Sequence, residues 1–167
     1  MHGQGAIVSA FIGIGSNLGD PMAMVRGVFE ELGGLAHTRV DACSSLYRTA
    51  PVGLREQPDF INAVAQIRTA LAPRDLLDGL LAIEQLHGRA RSTKDAPRTL
   101  DLDLLLYDDV VMDEPGISIP HPRMHERAFV LAPLSEIAPD ANVPGRGKVS
   151  VLLARVGQDG VQRIAGD

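Results

Sequence analysis

A chain of 167 residues can bury roughly 70% of its unfolded surface, so it needs neither a disulfide nor a structural metal to hold a core. Its net charge of −5 excludes a general nucleic-acid or membrane-surface binder, because such partners demand a basic excess, and any anion site must be local. The single cysteine, Cys43, cannot pair within the chain, which suits a reducing cytoplasm, and it reads as a small buried apolar residue.

With no Trp, four Phe and two Tyr, the core must be built from Leu, Ile, Val and Ala. No window approaches the ~20 apolar residues of a membrane span, and the N-terminus lacks the basic residue that opens a secretory signal. A cytoplasmic protein with no membrane partner is expected. Without repeats or linkers, one domain is expected over residues 1–167, with a core of about 6–140 and an extension over 141–167.

The first apolar run, Ala6 to Ile14, predicts a buried strand. Asp20-Pro21 then supplies an N-cap followed by proline in the first turn of a helix running to about Leu32. Gly33-Gly34 offers that helix a left-handed stop. An extended segment from Val40 to Arg48 follows, then a Pro-rich loop to Pro58. The stretch Phe60 to Arg68 places Ile61, Ala63, Ala65 and Ile67 on one strand face and Asn62 on the other. Pro73 opens a second helix whose apolar stripe, from Leu76 to Leu86, ends before Gly88. A charged loop reaches Arg98, and Leu100 to Tyr107 reads as a strand.

Strand, helix, strand, strand, helix, strand is the split βαβ order of ferredoxin-like folds, so an α+β class with a ferredoxin-like βαββαβ core is expected. Additional elements follow at the C-terminal end: short helices near Glu126–Leu134 and Val149–Val156, with room for a further strand.

Within the last strand of that core, Asp101 and Asp103 share a face, their roots roughly 6.6 Å apart. Two buried like charges without a counterion would neutralise, so the pair calls for a cation or nearby guanidinium groups. Arg89, Arg91, Lys94 and Arg98 lie just upstream, and Glu84 ends the preceding helix. Carboxylates able to hold Mg²⁺ beside several arginines suit a polyphosphate. The Gly13–Gly19 turn lacks the spacing of a dinucleotide or phosphate loop. His121 and His125 lack the further ligands of a zinc site, and His121 fits better as a hydrogen-bond donor to an anion. Asn62 could read the amide edge of a flat heterocycle, with Phe60 and Phe129 as stacking faces.

The run Ala96-Pro-Arg98-Thr-Leu-Asp101-Leu-Asp103-Leu-Leu closely resembles the signature of the 6-hydroxymethyl-7,8-dihydropterin pyrophosphokinases. Supporting blocks are Ile14 to Gly19, Ser45 to Thr49, Gln57 to Asn62, Ile83-Glu84 with Gly88 to Arg91, and Ile119 to Met124 through Arg127, Phe129 and Pro133-Leu134.

This resemblance implies an ATP-dependent diphosphokinase of folate biosynthesis, moving diphosphate from ATP to the pterin's hydroxymethyl group and releasing AMP. Its substrates would be ATP and 6-hydroxymethyl-7,8-dihydropterin, with no nucleic acid, and a monomer is expected. Asp101 and Asp103 would hold two Mg²⁺ ions, while Arg89 and Arg98 close on the transferring group. Glu84, Arg91, His121 and Arg127 would serve ATP. Thr49, Ala50, Val52, Phe60, Asn62 and Phe129 would form the pterin pocket. Two departures stand out: the loop before Arg98 is short and lacks the Trp of many members, and Pro122 stands where some carry an aromatic residue.

Overall fold

The computed structural model describes residues 6–17, 19–49, 59–87 and 100–164. Arg89, Arg91, Arg98, Ala50 and Val52 lie outside the described residues.

The first apolar run forms β1 (Val8–Ser16), and α1 (Pro21–Gly33) starts as its cap predicts, with the Asp20 side chain accepting from the Ala23 N–H at 3.2 Å. The glycine stop differs. Gly34 keeps a right-handed φ of −89° and donates back to the Glu31 carbonyl, while His37 three residues later takes the positive φ of 55°. The chain therefore leaves the helix through a tightened last turn instead of a left-handed glycine.

The extended segment expected as one piece is two strands, β2 (Thr38–Cys43) and β3 (Tyr47–Thr49). Both pair with the long β4 (Phe60–Thr69). The break lies at Ser44, whose N–H donates to the Val64 carbonyl and whose hydroxyl accepts from the Val64 N–H, each at 2.9 Å. Cys43 pairs with Ala65 and Tyr47 with Asn62, so four steps on one strand oppose three on the other. An extra residue of this kind bends a strand, as a β-bulge does.

Helix α2 (Pro73–Leu86) then leads to β5 (Leu100–Tyr107). The sheet runs β5, β1, β4, with β2 and β3 both beyond β4, and all these pairings are antiparallel. That is the ferredoxin-like order, with its second strand broken in two. Helices α1 and α2 cover one face through Val25, Val28, Leu32, Leu76, Leu80 and Ile83, packed on Ile12, Ile14, Ile61, Ala65 and Ile67. Each fully buried aliphatic side chain there contributes ~1.5–3 kcal/mol.

After β5 come a hairpin, β6 (Met112–Glu114) with β7 (Ile117–Ile119), and a short 3-10 turn at Met124–Glu126. Helix α3 (Ala128–Ile137) lies on the other face of the sheet, its Val130, Leu131 and Leu134 packed with Phe11, Val64, Leu105 and Leu106. The extension adds the small hairpin of β8 (Asn142–Val143) and β9 (Gly147–Lys148), then α4 (Val149–Val156) packed beside α3. It ends in β10 (Val161–Arg163), which returns to the sheet and pairs with β3. No described helix is long and apolar enough to cross a membrane.

Candidate active site

Strand β5 alternates as its sequence predicts: Leu100, Leu102 and Leu104 are buried toward α1 and α2, and Asp101 and Asp103 are half-buried on the α3 face. A bulge opposite Phe11 and Ile12 then shifts the register, so that Leu105 and Leu106 both pack on the α3 side. The same face is thus carboxylate at the start of the strand and aliphatic at its end.

The floor beside the two aspartates is glycine. Asp101 pairs with Gly15 and Asp103 with Gly13 on β1, and Gly15 pairs in turn with Asn62 on β4. A Cβ at residue 15 would lie 2.7 Å from Asn62 Oδ1, so only glycine lets that amide lie over the strand. Asn62 is buried, and its Nδ2 donates to Thr49 Oγ1 at 2.9 Å, which holds the amide in place. Thr49 pairs with Phe60, bringing three of the residues expected at a pterin pocket to one corner of the sheet.

The opposite wall comes from the chain after β7. The His121 N–H donates to the Leu105 carbonyl at 2.9 Å, and His121 Nδ1 accepts from the Arg123 N–H at 3.2 Å. Burial holds the imidazole below its ordinary pKa; Asp103 opposes that shift, and Arg127 and Arg123 reinforce it. A neutral ring whose Nδ1 accepts carries its proton on Nε2, the nitrogen left to donate. Arg127 immediately precedes α3, its guanidinium 5.6 Å from the centroid of the Phe129 ring. A cleft of about 310 Å³ at the outer edge of β5 is lined by Leu77, Leu102, Asp103, Leu104, Ser118 and His121.

Glu84 is nearly fully buried, with Oε2 accepting from the Leu102 N–H at 2.6 Å. Because β5 ends the sheet, that N–H faces away from β1, and Glu84 satisfies it midway between the two aspartates. Its place is therefore at the strand's backbone.

The described residues hold no group of three or more His, Cys, Asp or Glu that could hold a metal ion. Mg²⁺ needs none: it keeps several waters and is bound through one or two carboxylates plus substrate phosphates. The donor set at Asp101 and Asp103 fits that habit.

Sequence reasoning read Gly13 and Gly15 as part of a plain turn. The signal that would have found them is the two-residue glycine period on the strand face opposite Ile12 and Ile14. It likewise passed over Glu136, which binds Ser45, Tyr47 and Arg163.

Residues 11–139 match the family profile described as 7,8-dihydro-6-hydroxymethylpterin-pyrophosphokinase (HPPK). The chain is 42% identical over 160 residues to the 2-amino-4-hydroxy-6-hydroxymethyldihydropteridine pyrophosphokinase of Pseudomonas aeruginosa, covering 96% of this chain and 99% of that one. It is 46% identical over 144 residues to the Synechocystis enzyme of the same name, covering 86% and 73%. Among solved structures, it resembles wild-type Plasmodium falciparum HPPK-DHPS with pteroate, at a TM-score of 0.75 and 14% identity, covering 98% of this chain and 47% of that one. The chain thus spans about half the length of that structure, which supports the fold. With the family match and these relatives in hand, the chain belongs to the 7,8-dihydro-6-hydroxymethylpterin-pyrophosphokinase family, the diphosphokinases of folate biosynthesis.

Proposed function

We propose that this chain transfers the terminal diphosphate of ATP to the hydroxymethyl oxygen of 6-hydroxymethyl-7,8-dihydropterin and releases AMP, with two Mg²⁺ held by Asp101 and Asp103. The observation that carries the arrangement is the row Asp101, Gly15, Asn62 across three adjacent strands. Strands lie about 4.8 Å apart, so the backbone positions of Asn62 and Asp101 stand roughly 10 Å apart, and the amide reaches back over Gly15 between them. That arrangement puts the amide and the carboxylate within reach of one flat heterocycle with one arm.

Asn62, oriented by Thr49, presents its remaining donor and acceptor to the heterocycle's amide edge. Phe129 and Phe60 supply faces for stacking, and the backbone near Ala50 and Val52 completes that pocket. His121, as an Nε2 donor, and Arg127 contact nucleotide phosphates, with Arg91 as a further contact. The cleft at the edge of β5 takes the base and ribose. Arg89 and Arg98 neutralise charge on the group in flight. Asp101 and Asp103 would hold Mg²⁺, which would supply Lewis-acid stabilisation of charge on the polyphosphate.

The pterin oxygen bonds to the β-phosphorus as the bond from that phosphorus to the α,β-bridging oxygen breaks. AMP keeps the bridging oxygen, and the alcohol's proton passes to one of the two aspartates. Most of the rate comes from positioning and charge stabilisation. The unit is read as a monomer of one domain, and Cys43, exposed at the end of β2 rather than buried as its residue type suggests, is a free thiol that suits a cytoplasmic setting.

Incubating the protein with ATP, Mg²⁺ and 6-hydroxymethyl-7,8-dihydropterin under reducing conditions should yield AMP and pterin diphosphate in equal amounts. Failure to form both would sink the reading. Release of phosphate or pyrophosphate without a pterin product would instead mark a hydrolase.

A further inference from the structure

Far from the aspartate pair, at the other edge of the sheet, one carboxylate gathers an unusual number of donors. Glu136 Oε1 accepts from the Ser45 N–H at 2.9 Å and the Tyr47 hydroxyl at 2.8 Å. Its Oε2 accepts from the Ser45 hydroxyl at 2.9 Å and faces the Arg163 guanidinium at 3.4 Å. Arg163 closes the ring by donating from Nε to Ser45 Oγ at 3.1 Å. Burial first, then the Glu136 carboxylate, push the Tyr47 phenol well above its ordinary range. The four contacts on one carboxylate therefore join three separate pieces of chain: α3, the segment entering β3, and β10.

What these pieces carry gives the cluster a purpose. β3 is only three residues long, and its last residue is Thr49, the partner of the Asn62 amide. Tyr47 pairs with Asn62 itself. On the other side, β10 flanks β3, with Arg163 opposite Tyr47 and Val161 opposite Thr49. Helix α3 carries Phe129 seven residues before Glu136. Seven residues are almost two full turns, so the two side chains leave the same helix face about 10.5 Å apart along the axis. One end of this face presents the stacking ring, and the other is bolted to the strand that orients the reading amide.

We propose that Glu136, with Tyr47 and Arg163, is a positioning group for the pterin subsite: it sets the separation between Phe129 and the Thr49–Asn62 pair without touching substrate. The inference rests on the diphosphokinase reading and adds to it a residue set outside the reacting centre. It also assigns work to the C-terminal extension, since β10 supplies Arg163.

The location of the cluster makes the test selective. The nucleotide cleft lies along β5, at the opposite edge of the sheet from β3 and β10. Glu136→Gln keeps the shape but loses the charge and puts a donor where two donors now converge. It should raise the KM for pterin roughly tenfold, the scale of one lost charge-assisted hydrogen bond. Tyr47→Phe and Arg163→Gln should raise it less. The KM for ATP and kcat should stay within about twofold of the parent, because those contacts do not pass through β3. Pterin affinity can be read separately, by quenching of pterin fluorescence with a non-hydrolysable ATP analogue bound, and should weaken in parallel.

A parent protein that makes no AMP and pterin diphosphate would overturn the diphosphokinase reading. A parent that turns over, with folded variants matching its pterin KM and affinity, would overturn the positioning role alone. Equal losses in kcat, ATP KM and pterin KM would also overturn it, as general loosening of the fold. If Glu136→Gln does not fold, Tyr47→Phe and Arg163→Gln decide between the same outcomes.

Discussion

The face of the sheet beneath α1 and α2 is apolar along its length, whereas the face beneath α3 is apolar at one end and polar at the other. The strands are the same in both cases. Helices of 13 and 14 residues reach about 20 Å each and lie side by side on the first face. On the other face α3, at 10 residues and with the shorter α4 beside it, reaches about 15 Å over a β4 that extends about 33 Å. Where that layer stops short, Asp101, Asp103, Asn62 and Thr49 occupy positions that would otherwise demand aliphatic side chains. A site can thus be opened by an incomplete layer, while the complete layer opposite supplies the stability.

The sharpest way to test this division is to change residues that alternate on one strand. Asp101→Ala or Asp103→Ala should lower turnover by about a thousandfold or more, as loss of a metal-holding carboxylate removes several kcal/mol of charge stabilisation. The fold should be retained, as melting temperature would show; near-normal rates would show that the pair does not hold the metal. Leu100→Ala, one residue before Asp101 but facing α1 and α2, should do the reverse. It should cost ~2–5 kcal/mol in urea unfolding, with the folded protein retaining most of its kcat. A Leu100→Ala protein that is stable but inactive would dissolve the comparison.

A smaller effect probes the floor of the open face. Gly15→Ala places a methyl group 2.7 Å from where Asn62 Oδ1 now lies, so the amide must shift. The KM for pterin should rise roughly tenfold while the KM for ATP changes little, if one hydrogen bond to the heterocycle is misaligned. Unchanged pterin kinetics would mean that Asn62 does not read the substrate.

The smallest effect concerns acid. Burial works against ionisation of Glu136, but hydrogen bonds from Tyr47 and Ser45 and the charge of Arg163 outweigh it and hold the carboxyl below its ordinary pKa. A carboxyl depressed in the fold contributes stability that is present above its unfolded pKa and is lost as the pH falls through the folded one. The urea midpoint should therefore decline less steeply below about pH 5 in Glu136→Gln than in the parent. Parallel curves would show that the cluster does not link protonation to folding.

Much of this was legible in the chain. The Ile61, Ala63, Ala65, Ile67 alternation marked the buried face of β4 and put Asn62 opposite, and the Asp101-Leu-Asp103 step did the same for β5. The Asp20-Pro21 cap marked the start of α1. The break at Ser44 was not legible, because an extended segment reads alike whether or not its partner carries the same number of residues. Nor was the end of α1, where Gly33-Gly34 looked sufficient for a left-handed stop but His37 made the positive-φ turn.

By itself, the sequence determined the order of the core elements, the face on which each side chain falls, and the presence of two carboxylates where an apolar strand predicts none. These are consequences of local periodicity, which extends only along one element. Tertiary structure decided that Gly15 lies under the Asn62 amide, that Glu84 satisfies the outer edge of β5, and that β10 returns to β3 to hold Glu136 against Tyr47. Those contacts join residues 18 to 116 positions apart, and they form only once strand register and helix placement are fixed together by the shared core.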